Sequence, residues 1–336
     1  MKKATIKDVA REAGVSISTV SNALNNLPLV NEETRNKIID VAERIKYIPN
    51  MNGKLLKAKK SMTIGFFSSS VSGNYFYILV DSIFKECRRR GYGLNIIISR
   101  DKKVLLSDLL SNSFDGIIIF DCERVGDHEI ELITQRQIKA VFVDRELKQK
   151  NISSVVFDSF KKGYDSTKFL INLGHKRIYF IEGEEYTYGN IERKKGYTKA
   201  MREFDLEVRE EYFLKGKFEE SYTYNEIISK FRFDNLPIPD AVIAANDASA
   251  IGCIKAFNSM GYRIPEDISV TGFDDIELAK YFTPALTTVR NPIARQGIRA
   301  VEMLMELIHS ECEGKTEQLP GELITRDSAR IKGISV

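Results

Sequence analysis

The sequence predicts a small all-α head joined to a two-lobed α/β core, and three observations predict it. Residues 5–47 show helical periodicity punctuated by cap residues at Thr5, Ser16 and Asn31. From Met62 onward, short apolar runs rich in β-branched and aromatic residues alternate with amphipathic stretches, and that alternation runs through twice. The chain has 336 residues, enough for more than one domain.

Charge is divided along the same line. Residues 1–60 carry twelve Lys and Arg against six Asp and Glu, a net +6, which leaves −3 for the remainder of a chain whose total is +3. A basic head on a mildly acidic body suits a polyanion held by the head alone, through contacts that weaken as salt rises. The four cysteines, Cys87, Cys122, Cys253 and Cys312, are far apart and flanked by apolar residues, so neither a disulfide framework nor a metal site is indicated. Met1-Lys2-Lys3 is followed by no apolar leader, and no apolar run is long enough to span a bilayer. A reducing cytoplasm is the expected location.

In chain order, Thr5 caps a first helix, with Asp8 three residues on completing an Asp variant of the capping box. Gly14 breaks that helix and Ser16 caps a second, so two short helices meet at a tight turn through Gly14 and Val15, locked by Val9, Ala10, Ala13, Val15 and Val20. This is a helix-turn-helix pattern whose second helix turns Ile17, Ser18 and Asn22 outward. Asn31 to Tyr47 reads as a third helix, with Glu32 and Glu33 at its positive end and Ile38, Val41, Ala42 and Ile45 on one face. Pro49 stops it. The basic segment 50–61 is either a plain linker or a short helix that forms only when held against a surface, since nucleating so few residues alone is too costly.

In the core, strands are expected at Met62–Phe67, Leu94–Ser99, Gly116–Phe120 and Ala140–Val143, with a clear amphipathic helix at Phe76–Arg90 ending before Gly91. The second run opens at Ser153–Phe157 and continues through strands at Arg177–Ile181, Ala241–Ala244 and Ile268–Thr271. Its helices are expected at Lys161–Leu173, Arg193–Phe204, Tyr222–Phe233 and Asp247–Met260. Fully apolar strands between helices imply parallel sheets covered on both faces. Pro292–His309 is a further amphipathic helix that crosses back to the first lobe. The expected division is a head at 1–49, a hinge at 50–61, a first lobe from 62–159 with 291–320, and a second from 160–290 with 321–330. Small ligands of such a clamp bind at the carboxyl ends of its strands.

The head motif TIKDVAREAGVSISTVSNALN, the segment ETRNKIIDVAERIKYIPN, the core pieces RRRGYGL, DGIIIF, LGHKRI, ANDASAIG and ISVTGFDDIELAKYFTPALTTV, and the closing LITRDS together resemble the lactose-repressor (LacI/GalR) family of bacterial transcription regulators, nearly end to end. The resemblance implies a core similar to periplasmic sugar-binding proteins and no enzymatic activity. It implies a repressor whose affinity for a palindromic operator is set by a small effector, a sugar first and a purine or other metabolite second, with no other cofactor. A homodimer is expected, because two heads read two half-sites, and no leucine heptad follows Val336 to add a tetramerising tail.

Carried over by position, the resemblance assigns Ile17, Ser18 and Asn22 to base reading, and Thr5, Ser16, Thr19, Ser21, Asn25, Asn31 and Thr34 to phosphate contact. The family often places Arg where Asn22 stands. Arg favours guanine, whereas Asn favours adenine and Ile17 offers only apolar contact to a thymine methyl, so the operator is expected to shift toward A·T at those steps. Leu56 matches the hinge leucine that wedges between base pairs from the minor groove. Asn52 and Gly53 depart from the aliphatic residue and Ala usual there, and Gly weakens a helix by roughly 1 kcal/mol relative to Ala.

In the cleft the resemblance assigns ligand contact to Tyr75, Phe76, Asp158, Arg193, Asn246 and Asp274. Each has a plainer alternative: helix-start packing for the aromatics, a solvated pair with Glu192 for Arg193, a helix cap for Asp274. A guanidinium fork, two carboxylates and an amide at strand ends nonetheless suit a polyhydroxylated ligand. His175 after Gly174 reads as structural. A periplasmic-type sugar-binding protein without a transcriptional role would share the clamp but has no use for the basic head. For an α/β enzyme, no dinucleotide fingerprint, phosphate loop or catalytic cluster stands out among three histidines.

Overall fold

The computed structural model describes residues 4–47, 61–71, 73–111, 113–120, 125–310 and 312–333. They form two compact units, Met1–Ser61 and Met62–Val336. Hinge residues Asn52, Gly53 and Leu56 lie outside the described residues, as does Cys122.

The head holds α1 (Ile6–Ala13), α2 (Ile17–Leu24) and α3 (Glu32–Arg44). The Thr5 N–H and hydroxyl both donate to Asp8 Oδ2, at 2.9 and 2.7 Å, which closes the Asp end of the capping box. Gly14 ends α1 at φ +73°, a left-handed turn that a side chain would strain. Ser16 Oγ accepts from the Thr19 N–H at 3.1 Å and Asn31 Oδ1 from the Thr34 N–H at 2.8 Å, capping α2 and α3. Val9, Ala13, Val20, Ala23 and Ile38 meet in the small core. Its side chains are short because three helices this close leave little volume between them. The third helix stops at Arg44, short of the expected Tyr47, because Lys46 turns to φ +53°.

The second unit opens with β1 (Thr63–Ser68), α4 (Gly73–Arg89), β2 (Gly93–Ile98), α5 (Lys102–Leu109), β3 (Gly116–Phe120), α6 (Asp127–Gln135), β4 (Ala140–Val143) and β5 (Ile152–Phe157). It continues with α7 (Ser159–Asn172), β6 (Ile178–Glu182), α8 (Tyr188–Glu203), β7 (Phe213–Lys215), α9 (Glu220–Ile228), β8 (Ala241–Ala244), α10 (Asp247–Ser259), β9 (Ser269–Asp274), α11 (Glu277–Tyr281), β10 (Thr287–Arg290), α12 (Ile293–His309), β11 (Thr316–Leu319) and β12 (Glu322–Ile324). Two six-stranded sheets result, in the orders β2-β1-β3-β4-β5-β11 and β7-β6-β8-β9-β10-β12. All neighbours are parallel except β12, which runs antiparallel to β10. Each sheet reverses its winding once, between β1 and β3 and between β6 and β8, and such switch points open ligand crevices at the strands' carboxyl ends.

The strand at Ser153–Phe157, which opens the second run of the sequence pattern, pairs with β4 in the first sheet. The chain crosses between sheets after β5, after β10 and between β11 and β12. Helix α12 returns to the first sheet, where Ala300, Val301 and Leu304 pack with Leu79 and Ile83 of α4. The expected helix at Tyr222–Phe233 breaks into α9 and a π turn at Ser229–Phe233. His175 is buried, its Nε2 2.9 Å from the Arg330 carbonyl, and burial lowers its pKa; it ties the C-terminal segment to the second lobe. Among the described residues no helix is long and apolar enough to cross a membrane.

Candidate functional site

Two sites take shape, one in each unit. On the head, the first turn of α2 gathers three hydroxyls: Ser16 Oγ lies 2.7 Å from Ser18 Oγ and 2.8 Å from Thr19 Oγ1. A helix start of this kind, with the positive end of its dipole beside hydroxyl donors, favours an anion. Ile17 is 46% exposed although it opens the helix, so no head packing accounts for it. Ser18 is exposed, and Asn22 lies one turn beyond it, partly covered. Thr5 and Asn31 are engaged in caps, Ser21 Oγ is 3.5 Å from Asn25 Nδ2, and Thr34 supplies the N–H that Asn31 accepts. Asp8 is held below the usual carboxylate range, first by the Thr5 hydroxyl and then by its N–H and by Arg11.

The second site lies between the sheets of the core, where carboxyl ends of strands from both lobes converge. Arg193 reaches it because α7 and α8 cross almost in backbone contact: a Cβ on Gly196 would stand 2.2 Å from the Phe160 carbonyl oxygen, and one on Gly163 2.4 Å from that of Arg193. Arg193 is 4% exposed; its guanidinium lies 4.6 Å over the Phe273 ring and Nη1 donates to the Ala245 carbonyl, while Nε is buried without a partner. Glu192 pairs with Lys195 at 2.7 Å, so the solvated Arg193–Glu192 pair is not formed. Asp274 ends β9 at φ +108°, 8% exposed, with Oδ1 buried and unpaired. Burial pushes its carboxyl up, Arg193 and Asn291 pull it down, and Asp144 opposes them. Asp274 caps no helix. Its neighbour Asp275 differs: burial opposes its charge, but Arg326 and Arg290 hold it below the usual range, Arg290 Nε donating at 2.8 Å.

On the first-lobe side, Tyr75 stacks on Phe120 with centroids 5.1 Å apart and planes 11° from parallel. Phe76 meets Phe66 edge-on at 6.0 Å and leans into the first-lobe core, the packing alternative for that residue. Asp158 caps α7, accepting from the Lys161 N–H at 3.2 Å. Asn246 has both amide ends engaged within the chain: Oδ1 accepts from the Ser249 N–H at 2.9 Å and Nδ2 donates to the Phe218 carbonyl at 3.1 Å. In this conformation both ends of the Asn246 amide serve local structure, the cap of α10 and the Phe218 carbonyl.

Several residues of the site were not singled out from the sequence. Asp144 follows β4, Gln296 and Asn291 sit at and before the start of α12, and Tyr188 opens α8. Tyr188 is pushed up to about 12, mainly by burial and then by Glu146, Glu192, Asp144 and Asp158. Asn291 is buried beside Asp274, close enough for its amide to favour the carboxylate, yet neither amide atom completes a well-formed hydrogen bond. A carboxylate directly after an apolar strand marks Asp144 as it marks Asp158 and Asp274. A polar residue on the apolar stripe of an amphipathic helix marks Gln296.

Residues 5–50 match the family described as bacterial regulatory proteins, lacI family, and residues 167–329 match the periplasmic binding protein-like domain. The chain is 34% identical over 338 residues to the probable HTH-type transcriptional repressor ExuR of Bacillus subtilis (strain 168), spanning 97% of this chain and 98% of that protein. It is 32% identical over 334 residues to the HTH-type transcriptional repressor PurR of Pasteurella multocida (strain Pm70), spanning 98% and 99%. Among solved structures, the lac repressor dimer bound to operator and the anti-inducer ONPF superposes with a TM-score of 0.84 at 25% identity, covering 98% of this chain and 100% of that one. A complex of the transcriptional regulator CelR with cellobiose superposes with a TM-score of 0.74 at 25% identity, covering 97% and 100%.

Proposed function

The chain belongs to the lacI family of bacterial regulatory proteins, and from that premise we propose a cytoplasmic, homodimeric repressor whose hold on a palindromic operator is set by a polyhydroxylated effector, a sugar first, in the interlobe cleft. The observation that carries the effector reading is the set of buried, unpaired polar atoms on the second-lobe wall: Arg193 Nε, Asp274 Oδ1 and the amide of Asn291. Buried polar groups are almost always satisfied, and a cluster of exceptions at the strand ends of a clamp calls for a ligand that satisfies them. Tyr75 offers a flat face for such a ligand, and Asp158 and Asn246 complete the proposed contacts. Phe76, edge-on to Phe66, is a further proposed contact.

For the head, Ile17, Ser18 and Asn22 read base edges, while Ser16, Thr19, Ser21, Asn25, Asn31, Thr34 and Thr5 hold the phosphates. Asn pairs with adenine and Ile contacts the thymine methyl, so the half-site is A·T-shifted where α2 enters the major groove. Leu56 is the proposed minor-groove wedge. A second copy is suggested by exposed apolar side chains on both lobes, Tyr77 and Phe84 of α4, Ile96 and Ile98 of edge strand β2, and Leu278 and Tyr281 of α11. The lobes carry regulation when the effector binds their two relative positions unequally, a coupling typically of about 1–3 kcal/mol and reciprocal between DNA and effector.

Selection of bound duplexes from a random pool, followed by thermal-shift screening of neutral hexoses, hexose phosphates and purine bases, tests both halves. A palindrome with A·T opposite Asn22, and a ligand that stabilises wild type but not Asp274→Ala, are the expected results. A guanine requirement that survives Asn22→Ala counts against the base-reading assignment.

A further inference from the structure

On the first-lobe wall, three side chains from three elements touch in a triangle. The Tyr75 hydroxyl, in the first turn of α4, stands 2.7 Å from Asp144 Oδ2 and 2.6 Å from Gln296 Oε1, and Gln296 Nε2 stands 3.1 Å from Asp144 Oδ1. All three separations are hydrogen-bond lengths. Three hydrogen bonds need three protons, one in each contact. Tyr75 owns one. The Gln296 amide supplies one more, because its nitrogen end touches only one of the two neighbours. Turning the amide over moves that proton from one contact to another and adds none. The third proton has one remaining place, the Asp144 carboxyl. Without it, two lone-pair-bearing oxygens face each other at hydrogen-bond distance in a site where Gln296 is fully buried.

We propose that Asp144 bears a proton in this conformation and that, with Gln296, it is a positioning residue that locks the Tyr75 ring as the flat wall on which the effector stacks. The stacking role rests on the reading of this cleft as the effector site; the proton count does not. With the amide as placed, Tyr75 donates to Gln296 Oε1, Gln296 Nε2 donates to Asp144 Oδ1, and the Asp144 O–H donates back to Tyr75 Oη. Phe120, stacked on Tyr75, fixes the plane of the ring. Gln296 otherwise has no reason to sit on the apolar stripe of α12 among Ile293, Ala300 and Val301.

The charged and titratable groups facing Asp144 are Tyr75 itself, Arg193 and Tyr188 on α8, and Asp274 after β9. Burial pushes the Asp144 carboxyl above its usual range, while the Tyr75 hydrogen bond, Arg193, Gln296 and the Phe157 backbone N–H pull the other way without overcoming it. Ionising Asp144 breaks the ring, frees Tyr75 and sets a negative charge toward Arg193. A ligand stacked on the locked ring therefore holds the proton in place, and its affinity falls as pH rises through that ionisation.

The test uses effector-free full-length protein. Asp144→Asn closes the same ring with an N–H in place of the O–H and cannot ionise. A carboxyl whose native pKa is raised gives the native state the greater proton affinity, so wild-type stability falls as pH rises, relative to the variant. The expected result is a melting-temperature gap in favour of Asp144→Asn that opens as pH rises above the ordinary carboxylate range, about 4, and reaches about 2–4 °C. In difference infrared spectra, wild type should show the carbonyl stretch of a protonated carboxyl, lost in Asp144→Asn and retained but shifted in frequency in Tyr75→Phe and Gln296→Leu, where the hydrogen-bond partners of that carboxyl change. A variant less stable than wild type at neutral pH, with the gap closing on acidification, is the signature of an ionised Asp144 and overturns the proposal. So does a wild-type spectrum without the band, which is readable even where a variant fails to fold. Neither readout needs a ligand. Protein that shows both signatures yet binds no neutral hexose, hexose phosphate or purine base overturns the effector reading of the cleft, not the ring.

Discussion

On the first-lobe side of the cleft, Tyr75, Asp144 and Gln296 satisfy one another, whereas on the second-lobe side Arg193 Nε, Asp274 Oδ1 and both amide atoms of Asn291 are buried without partners. The first wall is a finished surface. The second is an unfinished one, and its deficit is of the kind a ligand rich in hydroxyls fills. Placing rigidity on one side and unsatisfied polar groups on the other lets a single ligand be gripped by polar contacts and oriented by a flat face. It also gives the ligand different contacts with each lobe, which a change in their relative position requires.

The contrast can be broken most forcefully at Arg193. Arg193→Ala removes the positive charge facing Asp274 and Asp144 and leaves the Ala245 carbonyl bare, so urea unfolding of the core should show a loss of about 3 kcal/mol. A change within experimental scatter would mean that the second wall does not depend on this side chain. Asp274→Asn should act in the opposite direction. Burial raises the Asp274 carboxyl, so the native state binds its proton more tightly than the unfolded chain does. That stability is present at low pH and is lost as pH rises through the native pKa; the amide variant should be more stable than wild type by about 1–2 kcal/mol at neutral pH, the difference fading on acidification. Ligand-induced stabilisation should disappear in the same variant.

Asn291→Leu sharpens the same point with a smaller effect. An amide with no partner loses little when replaced by an apolar group of similar shape, so ligand-free protein should be unchanged or more stable by about 1 kcal/mol while the thermal shift with ligand is lost. If stability drops instead, Asn291 has a structural partner and the wall is more finished than described. The smallest effect belongs to the head, where Thr5, Ser16 and Asn31 serve as caps first. Ser16→Ala removes the cap of α2 and should lower head stability by about 0.5 kcal/mol. Operator affinity should fall uniformly across sequences, not at one base step, as a phosphate contact requires.

Much of this was legible along the chain. The caps at Thr5, Ser16 and Asn31, the break at Gly14, and the strand cores at Gly116–Phe120, Ala140–Val143 and Ala241–Ala244 are local signals, and the helices and strands follow them closely. Strands β7, β10, β11 and β12 were not, because three or four residues with mixed exposure carry too little periodicity to read. The strand at Ser153–Phe157 was legible as a strand that opens the second run of the pattern, but an apolar run says that it is buried and nothing about beside which neighbour; the pairing with β4 decides that.

What the sequence by itself determined is whatever a few consecutive residues decide: a cap, a helical stripe, an apolar strand, an acid placed just after it. Arg193, Asp158 and Asp274 could be named on that basis together with the resemblance. Only the tertiary structure decided that Tyr75, Asp144 and Gln296 meet, across sequence separations of 69 and 221 residues from Tyr75, and that Asn246 caps α10. Whether a buried polar group has its partner depends on residues far away in the chain, and no local pattern records which of them arrive with a proton to give and which with one to receive.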